Sequence, residues 1–215
     1  MLNIRHFFFN PFMERTYVVW DGSLKGVVVD PGFMEEHEEM QFFSFIRSQG
    51  IDLRAVLLTH AHIDHIYGVP ACLREFPDIR VYLSPEDKFI KEHSDQMADM
   101  MRMPRPDIVW GTMDIYDGQI LKIGDLELEV ISTPGHTPGG VCFFSSQDGE
   151  LFCGDTLFSG SIGRTDLPGG NYKKLIESIT GKLADLEDAV RIHPGHGWDS
   201  TMGTERECNP FLQIG

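Results

Sequence analysis

Three imidazoles and a carboxylate lie within six positions in Thr59-His60-Ala61-His62-Ile63-Asp64-His65. Zinc and similar divalent ions prefer such nitrogen and oxygen donors. His60 and His62 are two apart, so extended backbone points both rings to one side. Asp64 and His65 fall where the chain turns into a helix, which aims them at a second point. The spacing can therefore feed two adjacent ions rather than one tetrahedral cage, and surface histidines in a loop would not explain four donors this close at a strand end. Three more donors stand at or just after strand ends. His136 lies in Thr133-Pro134-Gly135-His136-Thr137-Pro138-Gly139, where Pro and Gly fix a tight backbone. Asp155 lies in Cys153-Gly154-Asp155-Thr156, and His196 in His193-Pro194-Gly195-His196-Gly197. Each is a weak signal alone, but with the cluster they make one set of donors for two ions.

The elements that must position these donors read as follows. Residues 4–9, 16–20 and 26–30 alternate as strands, with Asp21-Gly22-Ser23 turning the last two into a hairpin. Residues 35–49 carry Met40, Phe43 and Ile46 at helical spacing, with acidic residues at the start and Gly50 as a stop. Ala55-Val56-Leu57-Leu58 is a continuous apolar run, read as a buried strand leading into the histidine cluster. A helix over 66–76, a strand over 79–83 and a helix from Pro85 to about Met103 follow. Strands 119–123 and 126–131 flank Gly124-Asp125, and strands 140–145 and 150–153 flank another turn. A helix over 171–186, with Leu175, Ile179 and Leu183 on one face, and a strand over 189–192 complete the pattern. Each half gives strands followed by helices, which predicts two packed sheets with helices outside, an α/β architecture, in one domain over residues 1–215.

The chain has 215 residues and a formal net charge of −15. Phosphate backbones and anionic membranes would repel it, so nucleic acid and membrane are excluded as expected partners. The Phe run after Met1 to His6 is too short for a signal-peptide core, and no apolar stretch reaches membrane-spanning length. Cys72, Cys142, Cys153 and Cys208 lack CxxC spacing and read as reduced core thiols, which points to the cytoplasm.

HxHxDH, then a Gly-His, a Gly-Asp and a Pro-Gly-His, in that order, resemble the metallo-β-lactamase superfamily over nearly the whole chain from Val29-Asp30-Pro31-Gly32. The resemblance implies a four-layer αββα sandwich with its site at one edge between the sheets. It implies His60, His62 and His136 at one metal, Asp64, His65 and His196 at a second, and Asp155 bridging them. The cofactors would be two divalent ions, zinc foremost, with iron or manganese also compatible with such donors. The segment Gly154 to Gly170 and the ending Gly203-Thr204-Glu205-Arg206 to Asn209-Pro210-Phe211-Leu212 resemble short bacterial glyoxalase II-like members. That implies a hydroxyacylglutathione hydrolase-like thioesterase acting on a small-molecule thioester, with Asp64 and Asp155 as its catalytic carboxylates. Full-length glyoxalase II has a further C-terminal helical segment that helps grip glutathione, and the resemblance stops before it, so glutathione is not implied as the thiol. Lactamases of the best-known subgroup carry cysteine where Asp155 stands, which weighs against antibiotic hydrolysis as the main activity; Cys153 reads as a core thiol. Gly163-Arg164-Thr165-Asp166 also resembles persulfide dioxygenases, which would use one iron on His60, His136 and Asp155.

Other residues take plainer readings. Arg164 is expected to pair with Asp166 rather than anchor an anionic substrate group. Residues 97–103, rich in Met, are expected in core or lid packing. His6, His37 and His93 are expected to face solvent, and His193 to pack at a strand end.

Overall fold

The computed structural model describes residues 2–213. Its first sheet takes β1 (Asn3–Phe9), β2 (Glu14–Trp20), β3 (Lys25–Val29), β4 (Asp52–Leu57), β5 (Arg80–Leu83) and β6 (Met113–Asp114) in sequence order. β1, β2 and β3 pair antiparallel, and β3 to β6 run parallel. The parallel crossovers carry α1 (Glu36–Gln49), then α2 (Ile63–Ile66) and α3 (Val69–Glu75), then α4 (Lys88–Glu92) and α5 (Ser94–Met101). In β1 the period of two sends Phe7 and Phe9 under α1, where Phe7 meets Phe42 and Phe45, and leaves Phe8 on the opposite face. A capping box on Glu35 and Glu38 opens α1, and Gly50 closes it at φ 65, a left-handed conformation that glycine adopts without strain.

The second sheet has the order β14-β13-β10-β9-β8-β7. Its strands are β7 (Ile120–Ile123), β8 (Leu126–Ser132), β9 (Val141–Ser145), β10 (Glu150–Gly154), β13 (Arg191–Pro194) and β14 (Ser200–Thr201). A two-stranded ribbon of β11 (Leu157–Phe158) and β12 (Ser161–Ile162) follows β10, and α6 (Tyr172–Ser178) and α7 (Met202–Cys208) complete the chain. The sheets bury Val19, Val27, Val29 and Leu57 of one against Leu128, Val130, Phe143 and Phe152 of the other. Phe42, Ile46 and Cys72 of α1 and α3 cover the outer face of the first sheet, and Leu175 and Met202 of α6 and α7 cover that of the second. This is the expected αββα order of layers.

Several boundaries differ from the sequence reading. Met40 is 58% exposed. The buried stripe of α1 is Phe42, Phe43 and Ile46, and at 100° per residue Met40 sits about 110° from its centre. The helix expected over 66–76 is split at Gly68, whose N–H bonds to Pro31 O at 2.7 Å and which packs so closely on Phe33 that a Cβ would lie 2.7 Å from the ring. The helix expected from Pro85 is a 3₁₀ turn, Pro85–Asp87, followed by the two short helices α4 and α5. The helix expected over 171–186 ends at Ser178 and widens into a π turn at Ile179–Leu183. α7 was not foreseen, and Cys208 is exposed, unlike the three buried cysteines. His37 faces solvent as expected, while His6 and His93 are half-buried. No helix among the described residues is long and apolar enough to cross a membrane.

The parallel pairs decide where chemistry can sit. Asp30 and Thr59 lie one and two residues beyond the ends of β3 and β4, and Asp155 and Gly195 directly follow β10 and β13, which pair parallel. Contacts between the sheets bring these ends together: Val141 N–H bonds to Thr59 O at 2.9 Å, and Tyr17 Oη donates to Pro194 O at 2.7 Å. Side chains just beyond the carboxyl ends of parallel strands thus converge on one edge of the sandwich, the usual place for a ligand in such sheets.

Candidate metal centre

All seven donors singled out in the sequence meet at that edge. Ligand atoms of His60, His62 and His136 lie within 4.8 Å of one another, and so do those of Asp64, His65 and His196. Asp155 stands between the two groups. Its Oδ2 is 3.5 Å from His136 Nε2 and 3.7 Å from His196 Nε2, while its Oδ1 is 3.6 Å from His65 Nε2. Asp64 Oδ2 lies 3.2 Å from His196 Nε2. The first group is deeply buried, and the second opens to solvent through His196, whose side chain is 26% exposed.

Hydrogen bonds to the far side of most rings fix their orientation. His65 Nδ1 pairs with Asp30 Oδ2 at 3.0 Å, and Asp30 also accepts Thr59 N–H at 2.7 Å and Thr59 Oγ1 at 2.6 Å. Thr59 Oγ1 in turn lies 3.0 Å from His60 Nδ1. His136 Nδ1 donates to the carbonyl of Arg164 at 2.7 Å, and His196 Nδ1 to the carbonyl of Phe12 at 3.1 Å. Each of these four rings therefore keeps Nε2 for the centre. His62 is the exception, its Nδ1 facing His136 Nε2 at 2.9 Å. The Asn10 amide donates to the carbonyls of Asp64 (2.9 Å) and Gly32 (3.0 Å), tying the ligand stretch to the end of β3. Asp30 lies within ligand distance of His60 and His65, but its oxygens are already taken by His65 and Thr59, so it orients donors rather than adding one.

Two glycines permit the close approach. A Cβ on Gly195 would stand 2.4 Å from Asp155 Oδ1 and 2.7 Å from His65 Cε1. One on Gly163 would meet the Asp155 carbonyl at 1.8 Å.

The electrostatics fit a cation. Burial, then the neighbouring histidines, press the pKa of His60 well below its ordinary value, so that ring is a neutral donor. Burial opposes charge on His65 too, but the carboxylates of Asp64, Asp155 and Asp30 outweigh it and hold its pKa well above the ordinary value. Burial likewise opposes charge on Asp64, yet His65 and His196 keep it ionised. The site thus already stabilises positive charge at its centre. His60 Nε2, His62 Nε2, His65 Nε2 and Asp155 Oδ1 are buried with no hydrogen-bond partner among the described residues. Orphaned polar atoms cost about 1–3 kcal/mol each, and four converging ones are what a divalent ion would satisfy. Cys153 takes no part: burial raises its thiol pKa well above the usual range, and Sγ donates to Leu157 O at 3.1 Å.

The centre opens on a cavity of about 400 Å³ walled by Phe12, Met97, Met101, Phe158, Ile162 and Leu167. Met97 and Met101 pack in a small apolar cluster with Ile63 and Ala98, as expected, and also wall the cavity. Arg164 reaches the rim but is held by Asp166 through bonds of 2.7 and 2.8 Å, as expected. His193 packs on Phe152 and pairs with Glu150 (2.7 Å) and Asp199 (3.3 Å), away from His196. Sequence reasoning missed Asp30, Thr59 and Asn10 as orienting groups, and took the side chain of Arg164, not its carbonyl, as the informative atom.

An αββα sandwich with clustered His and Asp donors at its open edge defines a class of metal-dependent enzymes. A sequence profile of the metallo-beta-lactamase superfamily matches residues 10–196. Hydroxyacylglutathione hydrolase GloC of Haemophilus influenzae is 35% identical over 206 residues, 94% of this chain and 93% of that protein. The solved structure of BLEG-1, a B3 metallo-beta-lactamase, is 31% identical, covers 98% of this chain and 100% of its own, and superposes with a TM-score of 0.89. The structure of TTHA1623 in a di-iron-bound form is 35% identical, with 97% and 100% coverage and a TM-score of 0.85. The chain belongs to the metallo-beta-lactamase superfamily.

Proposed function

We propose that this protein is a two-metal hydrolase of small-molecule thioesters. The observation that carries the reading is the position of Asp155, whose two oxygens face donors of both groups at 3.5–3.7 Å. His60, His62 and His136 would hold one ion, Asp64, His65 and His196 the other, and Asp155 both. Bound divalent ions supply a Lewis acid for a carbonyl oxygen and make a nucleophilic water available near neutral pH. Asp64, kept ionised by its histidine neighbours, and Asp155 accept hydrogen bonds from the attacking water and fix its direction. The apolar walls thin out competing water around the carbonyl carbon. Attack breaks the C–S bond, giving a carboxylate and a thiol. A thiolate leaves readily, so the step does not depend on a strong general acid. The relationship to GloC supports the thioester class, and the di-iron neighbour supports two ions without favouring zinc over iron.

Elemental analysis joined to a thioester assay, with and without chelator, tests the reading. Two ions per chain and chelator-sensitive turnover are expected, and Asp155→Ala or His60→Ala should lose both metal and activity. One iron per chain with oxygen uptake on a persulfide would replace the hydrolase with a dioxygenase. Turnover of a β-lactam faster than of any thioester would move the substrate class toward that named for BLEG-1.

A further inference from the structure

A second cavity, about 180 Å³, lies beside the metal cleft and is lined by Phe89, Ile90, His93, Gln96, Met97, Met100 and Pro168. Its volume resembles that of an engineered apolar cavity of about 150 Å³ that takes up benzene, so it has room for roughly six carbons. The two cavities adjoin at two points. Met97 lines both, and Leu167 walls the cleft while the next residue, Pro168, walls the side pocket. Phe89 and Met100 stand 50% and 58% exposed there, an apolar surface that packing within the chain does not use. His93 is turned away from ligation: its Nδ1 donates to Phe89 O at 2.8 Å and its ring lies against Phe89 at 4.1 Å. The partition between the pockets is a methionine, an unbranched thioether that shifts rotamer easily.

The charges of the cleft point the same way. Among the described residues its lining holds no lysine, and its one arginine, Arg164, is already bound by Asp166. Away from the metal donors, a thiol or acyl group carrying several carboxylates finds no unpaired cationic side chain along the described lining.

Resting on the hydrolase reading, we propose that the side pocket receives an unbranched apolar arm of the thioester, entering past Met97. The protein therefore selects for a hydrophobic chain of about six carbons over short or multiply charged groups.

The test runs two substrate series on the metal-loaded protein. In one the acyl chain grows from acetyl to octanoyl on a fixed small thiol; in the other the alkyl chain grows on the thiol of an acetyl thioester. In the series whose chain enters the pocket, kcat/KM should rise about fourfold per methylene until the pocket is full, while the other stays flat. Met100→Glu should flatten the rise, whereas Val109→Glu, an equally apolar exposed position outside the lining, should preserve it. A second readout needs no turnover: with methionine methyls labelled by ¹³C, octanoate should shift the Met97 and Met100 signals and leave Met40 and Met113 unmoved. Flat series on both sides, or octanoate shifts confined to Met101, would overturn the proposal. If no thioester is hydrolysed, the hydrolase reading falls, and the methyl shifts still decide whether the pocket binds an apolar chain.

Discussion

Replacing Asp30 by Asn is the most demanding test of how the centre is built. Asp30 is 2% exposed and accepts three hydrogen bonds, from His65 Nδ1 and from the N–H and Oγ1 of Thr59. Through Thr59 it also reaches His60 Nδ1, so a single carboxylate orients one ring in each donor group. Asparagine keeps the shape but replaces one oxygen with an amide that faces donors, so one or two of the three bonds must go. Bonds to a charged acceptor contribute about 1.5–3 kcal/mol each, which places the stability loss near 2–4 kcal/mol once relaxation is allowed. Loss of a hydrogen-bond partner behind a metal-binding histidine lowers metal affinity about 10–100-fold. Both ions should weaken together, because His60 and His65 belong to different groups. Stepwise competition with a chromophoric chelator measures the two affinities, and urea unfolding of the metal-free protein measures stability. Thr59→Val removes the hydroxyl that links Asp30 to His60 but leaves the direct Asp30–His65 bond, so it should weaken the first ion more than the second. Affinities in Asp30→Asn within about twofold of the parent at both ions would refute the orienting role.

Gly195→Ala should fold, since its backbone is not left-handed, yet bind metal poorly, because the new methyl would press on Asp155 Oδ1 and His65 Cε1; undiminished metal content by elemental analysis would contradict the packing described. His193→Gln tests a pH dependence. Burial alone lowers the pKa of His193, but Asp199 and Glu150 outweigh it and raise it above the ordinary 6.5. A raised folded-state pKa gives stabilisation that is full below 6.5 and lost as pH rises through the raised value. The stability cost of His193→Gln should thus be larger near about pH 6 than near about pH 9, and equal costs from urea unfolding at both would remove the charged pairing. Phe42→Ala, fully buried between Phe7 and Phe33, should cost about 3–5 kcal/mol in the same assay, and a loss under about 1 kcal/mol would mean that α1 packs otherwise.

Elements were legible in the sequence where local rules decide them. The Phe7-Phe8-Phe9 alternation, the αL stop at Gly50 and the Gly124-Asp125 hairpin need no knowledge of distant residues. The misread boundaries depend on distant partners. The break at Gly68 is made by Phe33 and the Pro31 carbonyl, more than thirty positions away. Leu175, Ile179 and Leu183 are all buried as their spacing predicts, but across an α-to-π transition that the spacing alone does not distinguish from a continuous helix. α7 carries one deeply buried apolar side chain, Met202, and is held largely by buried Glu205, whose carboxylate takes Ser200 Oγ, Gly160 N–H and the Asn209 amide. Hydrophobic periodicity has little to register there.

The donors and the groups that aim them were unequally legible for a chemical reason. A metal ligand must be one of a few side chains, so His60, His62, Asp64 and His65 announce themselves by type and spacing. An orienting acceptor need only be an oxygen in the right place. Asp30 supplies it from a position that reads as a turn, at φ 48, while Arg164 and Phe12 supply it from backbone carbonyls, whatever their side chains are. The loops that follow the strands therefore contribute to the centre through their path as much as their side chains. Gly163 and Gly195, which let that path pass against Asp155, report on the geometry of the site more directly than Arg164, the most conspicuous charge at its rim.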